Sequence, residues 1–271
     1  MIGSAMADAH RVRIVVAPNA GLLTLDGSRT YVVGGDPCVV IDPGPALADH
    51  LDAVEIAVGS AEVVAIALTH GHPDHAAGAP ELALRLGAPV AASRASAELA
   101  DIELPAVELT PGRELAFEGG SLTAIRAPGH SPDHVCFHWP EADALFTGDV
   151  ILGEGTSMIA PPEGDLAAYL ETLRRLRDLA AGVIYPGHGP PVADAAAKIE
   201  EYLTHRLERE AQVLEALATG SGTPAEIRAQ VYPDLDPRLN RAAEGSVRAH
   251  LAKLEGEGRV EARGDRYRLL T

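Results

Sequence analysis

Apolar positions follow two rhythms along this chain, and the change between them marks its plan. Up to residue 194, short apolar runs are bounded by Gly, Pro, Asn and Asp, the pattern of strands and connecting helices in a mixed fold. Residues 11–16 predict a strand broken by Pro18 and Asn19. Residues 22–25 and 31–33 predict two more around the Asp26-Gly27 turn, and 38–41 a further one ending at Asp42-Pro43-Gly44-Pro45. Residues 46–58 place Leu47, Leu51, Val54 and Val58 on one helical face. Residues 63–68 are continuously apolar, as a buried strand is, and a helix over 76–86 stops at Gly87. Residues 89–91 predict a short strand, whereas 93–112, with Pro105 and Pro111, read as loop. A hairpin over 114–117 and 121–126 turns at Gly119-Gly120, and strands follow at 135–138 and 144–147. Asp165 caps a helix running to 181, and a strand at 183–185 leads into Pro186-Gly187-His188-Gly189.

After Asp194 the rhythm becomes helical. Ile199, Tyr202, Leu203, Leu207, Val213, Leu214 and Leu217 recur at helical spacing until Thr219-Gly220-Ser221-Gly222. Thr223 caps a second helix with Pro224 at its first position. A third is predicted over 238–254, then a hairpin over 259–270 about Gly264-Asp265, with Val260 and Ala262 opposite Tyr267 and Leu269. Three helices and a hairpin are the order of a small winged helix. The expected domains are therefore 1–194 and 195–271.

Composition narrows the class. The 271 residues are 46% apolar and only 4% aromatic, with a net charge of -17. No overall field draws this chain to nucleic acid or to an anionic membrane. Cys38 and Cys136 are too few for a disulfide framework, so a reducing, cytoplasmic setting is expected. The first ten residues lack the basic-then-apolar order of a signal peptide, and no run reaches ~18 consecutive apolar residues, the length that would span a membrane.

The chemistry concentrates in Thr69-His70-Gly71-His72-Pro73-Asp74-His75. Four potential metal ligands follow a buried strand, and the Gly and Pro among them prevent a regular helix or strand. Imidazole nitrogens with a carboxylate suit zinc, iron or manganese better than calcium or magnesium. Similar punctuation surrounds Pro128-Gly129-His130 and Pro186-Gly187-His188, while Phe146-Thr147-Gly148-Asp149 puts a carboxylate just past a strand. Read singly, each is an ordinary turn. Together His70, His72, Asp74, His75, His130, Asp149 and His188 are enough for two adjacent metals. His134, in His-Ser-Pro-Asp-His, either protonates a leaving group or supports the ligand loop. Asp42 is a candidate for orienting a ligand histidine.

The run His70-x-His72-x-Asp74-His75 resembles the signature of the metallo-β-lactamase superfamily. That resemblance implies an α/β fold, an αββα sandwich, and a metal-dependent hydrolase. It implies that His70, His72 and His130 hold one divalent ion, that Asp74, His75 and His188 hold the second, and that Asp149 bridges them. The ions would be zinc, or else manganese or iron. Two ions sharing a water lower its pKa, giving hydroxide at neutral pH, and polarise the substrate oxygen. Asp74 is placed to accept the proton, so Asp74, Asp149 and His134 are the expected catalytic residues.

Pro18-Asn19 with Leu23-Thr24-Leu25-Asp26-Gly27-Ser28-Arg29-Thr30-Tyr31, the Tyr185–Pro190 stretch, His205-Arg206 with Arg209-Glu210, and the winged-helix tail resemble the β-lactamase-like protein 2 group, with Ser28 and Arg29 as departures. Some members of that group are similar to metal-dependent endoribonucleases that act on single strands, while most bacterial members are known only as hydrolases. Glyoxalase II-like thioester hydrolysis is the alternative, with Arg206 and Arg209 as anion-holding candidates. A non-enzymatic DNA-binding regulator is disfavoured because no expected ligand is missing. From residue 219 on, nine Arg plus Lys stand against eight Asp plus Glu, about +1, which leaves -18 for the remainder. Arg238, Arg241, Arg248 and Lys253 share part of one helix face, yet a solvated surface explains them as well. A small molecule or single-stranded RNA is thus the expected partner, with no membrane and no double-stranded DNA; a homodimer is left open.

Overall fold

The computed structural model describes residues 12–103, 106–218, 220 and 222–270. Residues 1–11, Leu104, Pro105, Thr219, Ser221 and Thr271 lie outside them, together with the readings that rested there. The chain divides into two compact units. The first holds residues up to Ala127, Asp133–Thr156 and Leu179–Ala196; the second holds Pro128–Pro132, Ser157–Asp178 and everything from Ala197.

Two sheets form the first unit. One has the order β1 (Val12–Val16), β2 (Arg29–Gly34), β3 (Cys38–Ile41), β4 (Val63–Ala67), β5 (Val90–Ala92), β6 (Val107–Glu108). Its first three strands are antiparallel; β3 to β6 run parallel. The other sheet has the order β11 (Val183–Pro186), β10 (Ala144–Gly148), β9 (Val135–Trp139), β8 (Gly120–Arg126), β7 (Glu114–Phe117), with β10 and β11 parallel.

Alternation explains how one sheet serves two cores. Tyr31, Val33, Val39 and Ile41 point inward against Leu122, Phe137, Trp139 and Phe146 of the second sheet. Val32, Val40, Ile66 and Leu68 face the other way, onto helices α1 (Ala48–Val58), α2 (Pro73–Ala76), α3 (Ala79–Leu86) and α4 (Arg94–Leu99).

Three expectations are corrected. Residues 22–25 form no strand: Leu25 has φ +54° and the segment closes as a turn bridged by Gly21 and Leu25. The helix over 76–86 is two, broken at Ala77-Gly78, because Pro80 starts a new helix and a side chain at Gly78 would meet Leu51 and the Pro43 carbonyl. The 93–112 loop contains α4, capped by Ser93 accepting from the Ser96 N–H, and the edge strand β6.

The second unit contains α5 (Leu166–Asp178), most of α6 (Ala195–Ala218), α7 (Pro224–Val231), α8 (Asn240–Gly256) and the hairpin β12 (Val260–Arg263)–β13 (Arg266–Leu269). Asp165 Oδ1 accepts from the Ala168 N–H, as its capping position predicts, although α5 ends three residues before 181. Thr223 and Glu226 form a reciprocal capping box on α7. Val260 pairs with Leu269 and Ala262 with Tyr267, the register read from the sequence. Val213, Leu217, Ile227, Val247, Leu251 and Val260 make the core of this module.

Candidate metal centre

Parallel strands aim their carboxyl ends at one place, where open α/β sheets bind ligands. Asp42 follows β3, His70 follows β4, Asp149 follows β10 and His188 follows β11. The sheets are tied there: the Tyr31 hydroxyl donates to the Pro186 carbonyl at 2.6 Å, and the Arg29 N–H donates to the Gly187 carbonyl at 2.9 Å. Glycine is required twice. Gly148 has φ +47°, and a Cβ there would lie 2.8 Å from His134 Nε2. A Cβ on Gly187 would lie 2.6 Å from both Asp149 Oδ1 and His75 Cε1.

Six of the seven expected ligands stand in the first unit, and they converge. One donor atom each from His70, His75 and Asp149 lie within 4.8 Å of one another, as do those from Asp74, His75 and His188. His70 Nε2 is 2.9 Å from His72 Nδ1. His75 Nε2 lies 3.3 Å from His188 Nε2, 3.4 Å from Asp149 Oδ1 and 3.6 Å from Asp74 Oδ2. His188 Nε2 is 3.3 Å from both carboxylates. His130 belongs to the second unit, where its Nδ1 lies 3.0 Å from the Met158 carbonyl, to which it donates.

Hydrogen bonds behind the ligands settle which nitrogen faces inward. The Gly27 carbonyl can only accept, so His188 Nδ1, at 3.3 Å, carries the hydrogen. Asp42 Oδ2 takes the Nδ1–H of His75 at 2.9 Å. The Thr69 hydroxyl donates to Asp42 Oδ2 at 2.7 Å and therefore accepts from His70 Nδ1 at 3.0 Å. Each ring so turns its Nε2 toward the shared space, the nitrogen a metal-binding histidine offers once it is neutral. Lone pairs and carboxylate oxygens facing one another at these distances repel unless cations lie among them. The donor set fits divalent transition-metal ions.

Without metal, protons take that role. Burial would lower His188, but hydrogen bonds to Asp149 and Asp74 outweigh it and push its pKa up to about 9. Burial likewise opposes charging of His75, and the charge of Asp149 and its hydrogen bonds raise it well above the ordinary range. Asp149 falls well below the carboxylate range, burial being outweighed by His75 and His188. Asp74 sits at about 2, because the His188 hydrogen bond and the His75 charge overcome its burial. Asp74 is 30% exposed against 13% for Asp149, so it is the more open of the two carboxylates.

His134 is buried, stacks on His70 with ring centroids 4.7 Å apart, and accepts the Asp149 N–H on Nε2 at 3.1 Å. That geometry favours support of the ligand loop over protonation of a leaving group. Asp42 orients His75, as its position suggested, and also accepts the Thr69 N–H at 2.7 Å.

Sequence reasoning missed three contributors. Ser28 Oγ donates to Asp74 Oδ2 at 3.2 Å and is itself held by Asn19 at 2.9 Å. Thr69 orients His70, and Asp133 Oδ2 accepts the Gly71 N–H at 2.8 Å. Thr69 and Asp133 each adjoin a candidate histidine, which was a usable signal; the Asn19–Ser28 pair, nine residues apart in a loop, had none.

The sequence profile of the metallo-beta-lactamase superfamily matches residues 23–188, and that of the beta-lactamase associated winged helix domain matches 223–268. An atrochrysone carboxyl ACP thioesterase of Aspergillus chevalieri is 34% identical over 92% of this chain and 82% of its own. A beta-lactamase-like protein 2 homolog of Caenorhabditis elegans is 32% identical over 91% of this chain and 85% of its own. In three dimensions, a metallo-beta-lactamase family protein from Thermus thermophilus matches with a TM-score of 0.79 at 24% identity, over 96% of this chain and 98% of the other.

Proposed function

The chain belongs to the metallo-beta-lactamase superfamily, a family of hydrolases, and on that premise we propose that it hydrolyses acyl thioesters with two divalent ions, zinc first among them. The observation that carries the reading is the inward-facing set of His75, His188, Asp74 and Asp149 around one small space. His70 and His72 extend it, and His130 is kept as the seventh ligand, as the sequence pattern suggests. When bound, the ions supply Lewis acidity to a carbonyl oxygen and acidity to a water.

The protein's own groups do the rest. Asp74, the more exposed carboxylate, takes the proton of the nucleophile on Oδ2, the oxygen that Ser28 Oγ–H orients. Asp42, Thr69 and the Gly27 carbonyl fix the ring orientations, so no histidine must turn as the reaction proceeds. His134 holds the backbone of Asp149.

Thioester chemistry is favoured over cleavage of single-stranded RNA by relatives such as the 34%-identical ACP thioesterase and by charge. Five arginines of the winged helix are paired internally: Arg238 with Asp236, Arg248 with Glu244, Arg266 with Glu226, and Arg263 and Arg268 with Glu261. Paired guanidiniums in a chain of net charge -17 release few counterions from a phosphate backbone. No described helix is long and apolar enough to cross a membrane. Cys38 and Cys136 are buried thiols outside any disulfide, which suits a reducing cytoplasm.

The test is thiol release from acyl-CoA and acyl-pantetheine by zinc-loaded protein, beside a single-stranded oligoribonucleotide. Release that needs metal and disappears in Asp149→Asn is expected. Intact thioesters alongside cut RNA would reverse the assignment.

A further inference from the structure

The motif His205-Arg206, Arg209-Glu210 on α6 takes no part in the chemistry above, yet its side chains are unusually placed. Arg206 is only 3% exposed, and a guanidinium cannot shed its charge. Its Nη2 donates to the Ser157 carbonyl, its guanidinium carbon lies 5.3 Å from the Tyr169 ring centroid, and its Nε has no partner. Among the described residues it has no carboxylate within ion-pair distance. The buried acid on the same helix, Glu210, is taken by Lys253 at 2.7 Å and Arg259 at 3.1 Å.

The neighbours repeat the pattern. His250 on α8 is 1% exposed and neither ring nitrogen has a hydrogen-bond partner. His205 Nδ1 is also without one. Arg209, half-buried, meets Gln212 Oε1 at 2.6 Å, the Val231 carbonyl at 3.5 Å, His205 Nε2 at 3.4 Å and the Tyr232 ring, none of them an anion. The two helices meet here: Lys253, one turn from His250 on α8, reaches Glu210, one turn from Arg206 on α6, at 2.7 Å, and burial first, then the charges of Arg206, Lys253, His205 and Arg209, lowers His250 to about 3. Glu201 and Glu208, also near His205, are exposed.

Buried charges are normally paired and buried polar atoms normally bonded. Here Arg206 Nε and three imidazole nitrogens of His205 and His250 are left without a hydrogen-bond partner in one neighbourhood, in a chain with 39 acidic residues available to pair them. We propose that His205, Arg206, Arg209 and His250 form a binding site for a phosphate-class oxyanion in the second unit. An arginine fork matches the geometry of such an anion, and a phosphate has enough acceptor oxygens to serve several donors at once. The anion is either free phosphate or the phosphate of a larger ester. This site stands apart from the thioester reading, which thiol release tests separately.

Calorimetric titration of the zinc-loaded full chain with inorganic phosphate, against chloride of matched ionic strength, tests it; a second arm uses 4′-phosphopantetheine. Saturable binding is expected in the wild type, at least about tenfold weaker in Arg209→Gln, the loss of one charge-assisted contact. Phosphate at the metal ligands is common to both chains, so their difference reads this site. Arg206→Lys keeps the charge without the fork and is expected to weaken binding while circular dichroism stays native. The His250 ring nitrogen resonances should move on titration. Tighter binding in one arm assigns free or esterified phosphate. Equal affinity in wild type and Arg209→Gln, or still His250 resonances, would overturn the proposal.

Discussion

A histidine group in the first unit and another in the second are both buried, yet their neighbours push them in opposite directions. Around His75 and His188 stand Asp42, Asp74 and Asp149, and both rings are held above their ordinary range despite burial. Around His250 stand Arg206, Arg209 and Lys253, and burial is reinforced rather than opposed. Burial alone therefore does not say what a histidine is for. The sign of the surrounding charge does: the first group is prepared for a cation, the second for an anion.

The largest effect should come from removing a carboxylate of the first group. Asp149→Asn is expected to lower kcat/KM for the thioester by roughly a thousandfold or more, since fixed charge at the reacting centre contributes most of the stabilisation in such sites. Steady-state kinetics with equal metal loading would show it. Next comes orientation. Asp42→Ala strips acceptors from His75 Nδ1, the Thr69 N–H and the Thr69 hydroxyl, so zinc affinity should fall about 10–100-fold. Competition against a chromogenic chelator measures it.

The pH response separates the two groups directly. His188, raised to about 9, contributes stability to the metal-free chain that is complete below pH 6.5 and lost as pH rises through about 9. His250, lowered to about 3, contributes stability that is complete above pH 6.5 and lost as pH falls toward about 3. Zinc should flatten the alkaline limb and leave the acid limb, while His250→Leu should flatten the acid limb alone. Urea unfolding across pH, with and without zinc, reads both. The smallest effect belongs to Ser28→Ala, which removes a single hydrogen bond to Asp74 and should cost about fivefold in kcat, with KM nearly unchanged.

Much of the first group was legible in the sequence because its candidate ligands follow strand ends bounded by Gly and Pro. His70, His72, Asp74, Asp149 and His188 could be read that way, and Asp42 was singled out beside Pro43. Where local residues competed with a longer pattern, the reading failed. Pro80 split a helix that periodicity had made continuous, and the apolar stretch 22–25 turned because Leu25 adopts a left-handed conformation. Asn19 and Ser28 reach Asp74 only through a tertiary contact, which no spacing encodes. The second group was visible only as a motif on α6; that His250 joins it from α8 depends on packing between helices distant in sequence.

The central claim is that the convergent carboxylates and imidazoles hold a pair of divalent ions. Titrating chelator-treated protein with zinc by calorimetry, in two buffers of different ionisation enthalpy, tests it most directly. Two equivalents per chain are expected, with protons released to the buffer as His75 and His188 give up theirs. Binding of one equivalent or none, or two without proton release, would contradict it.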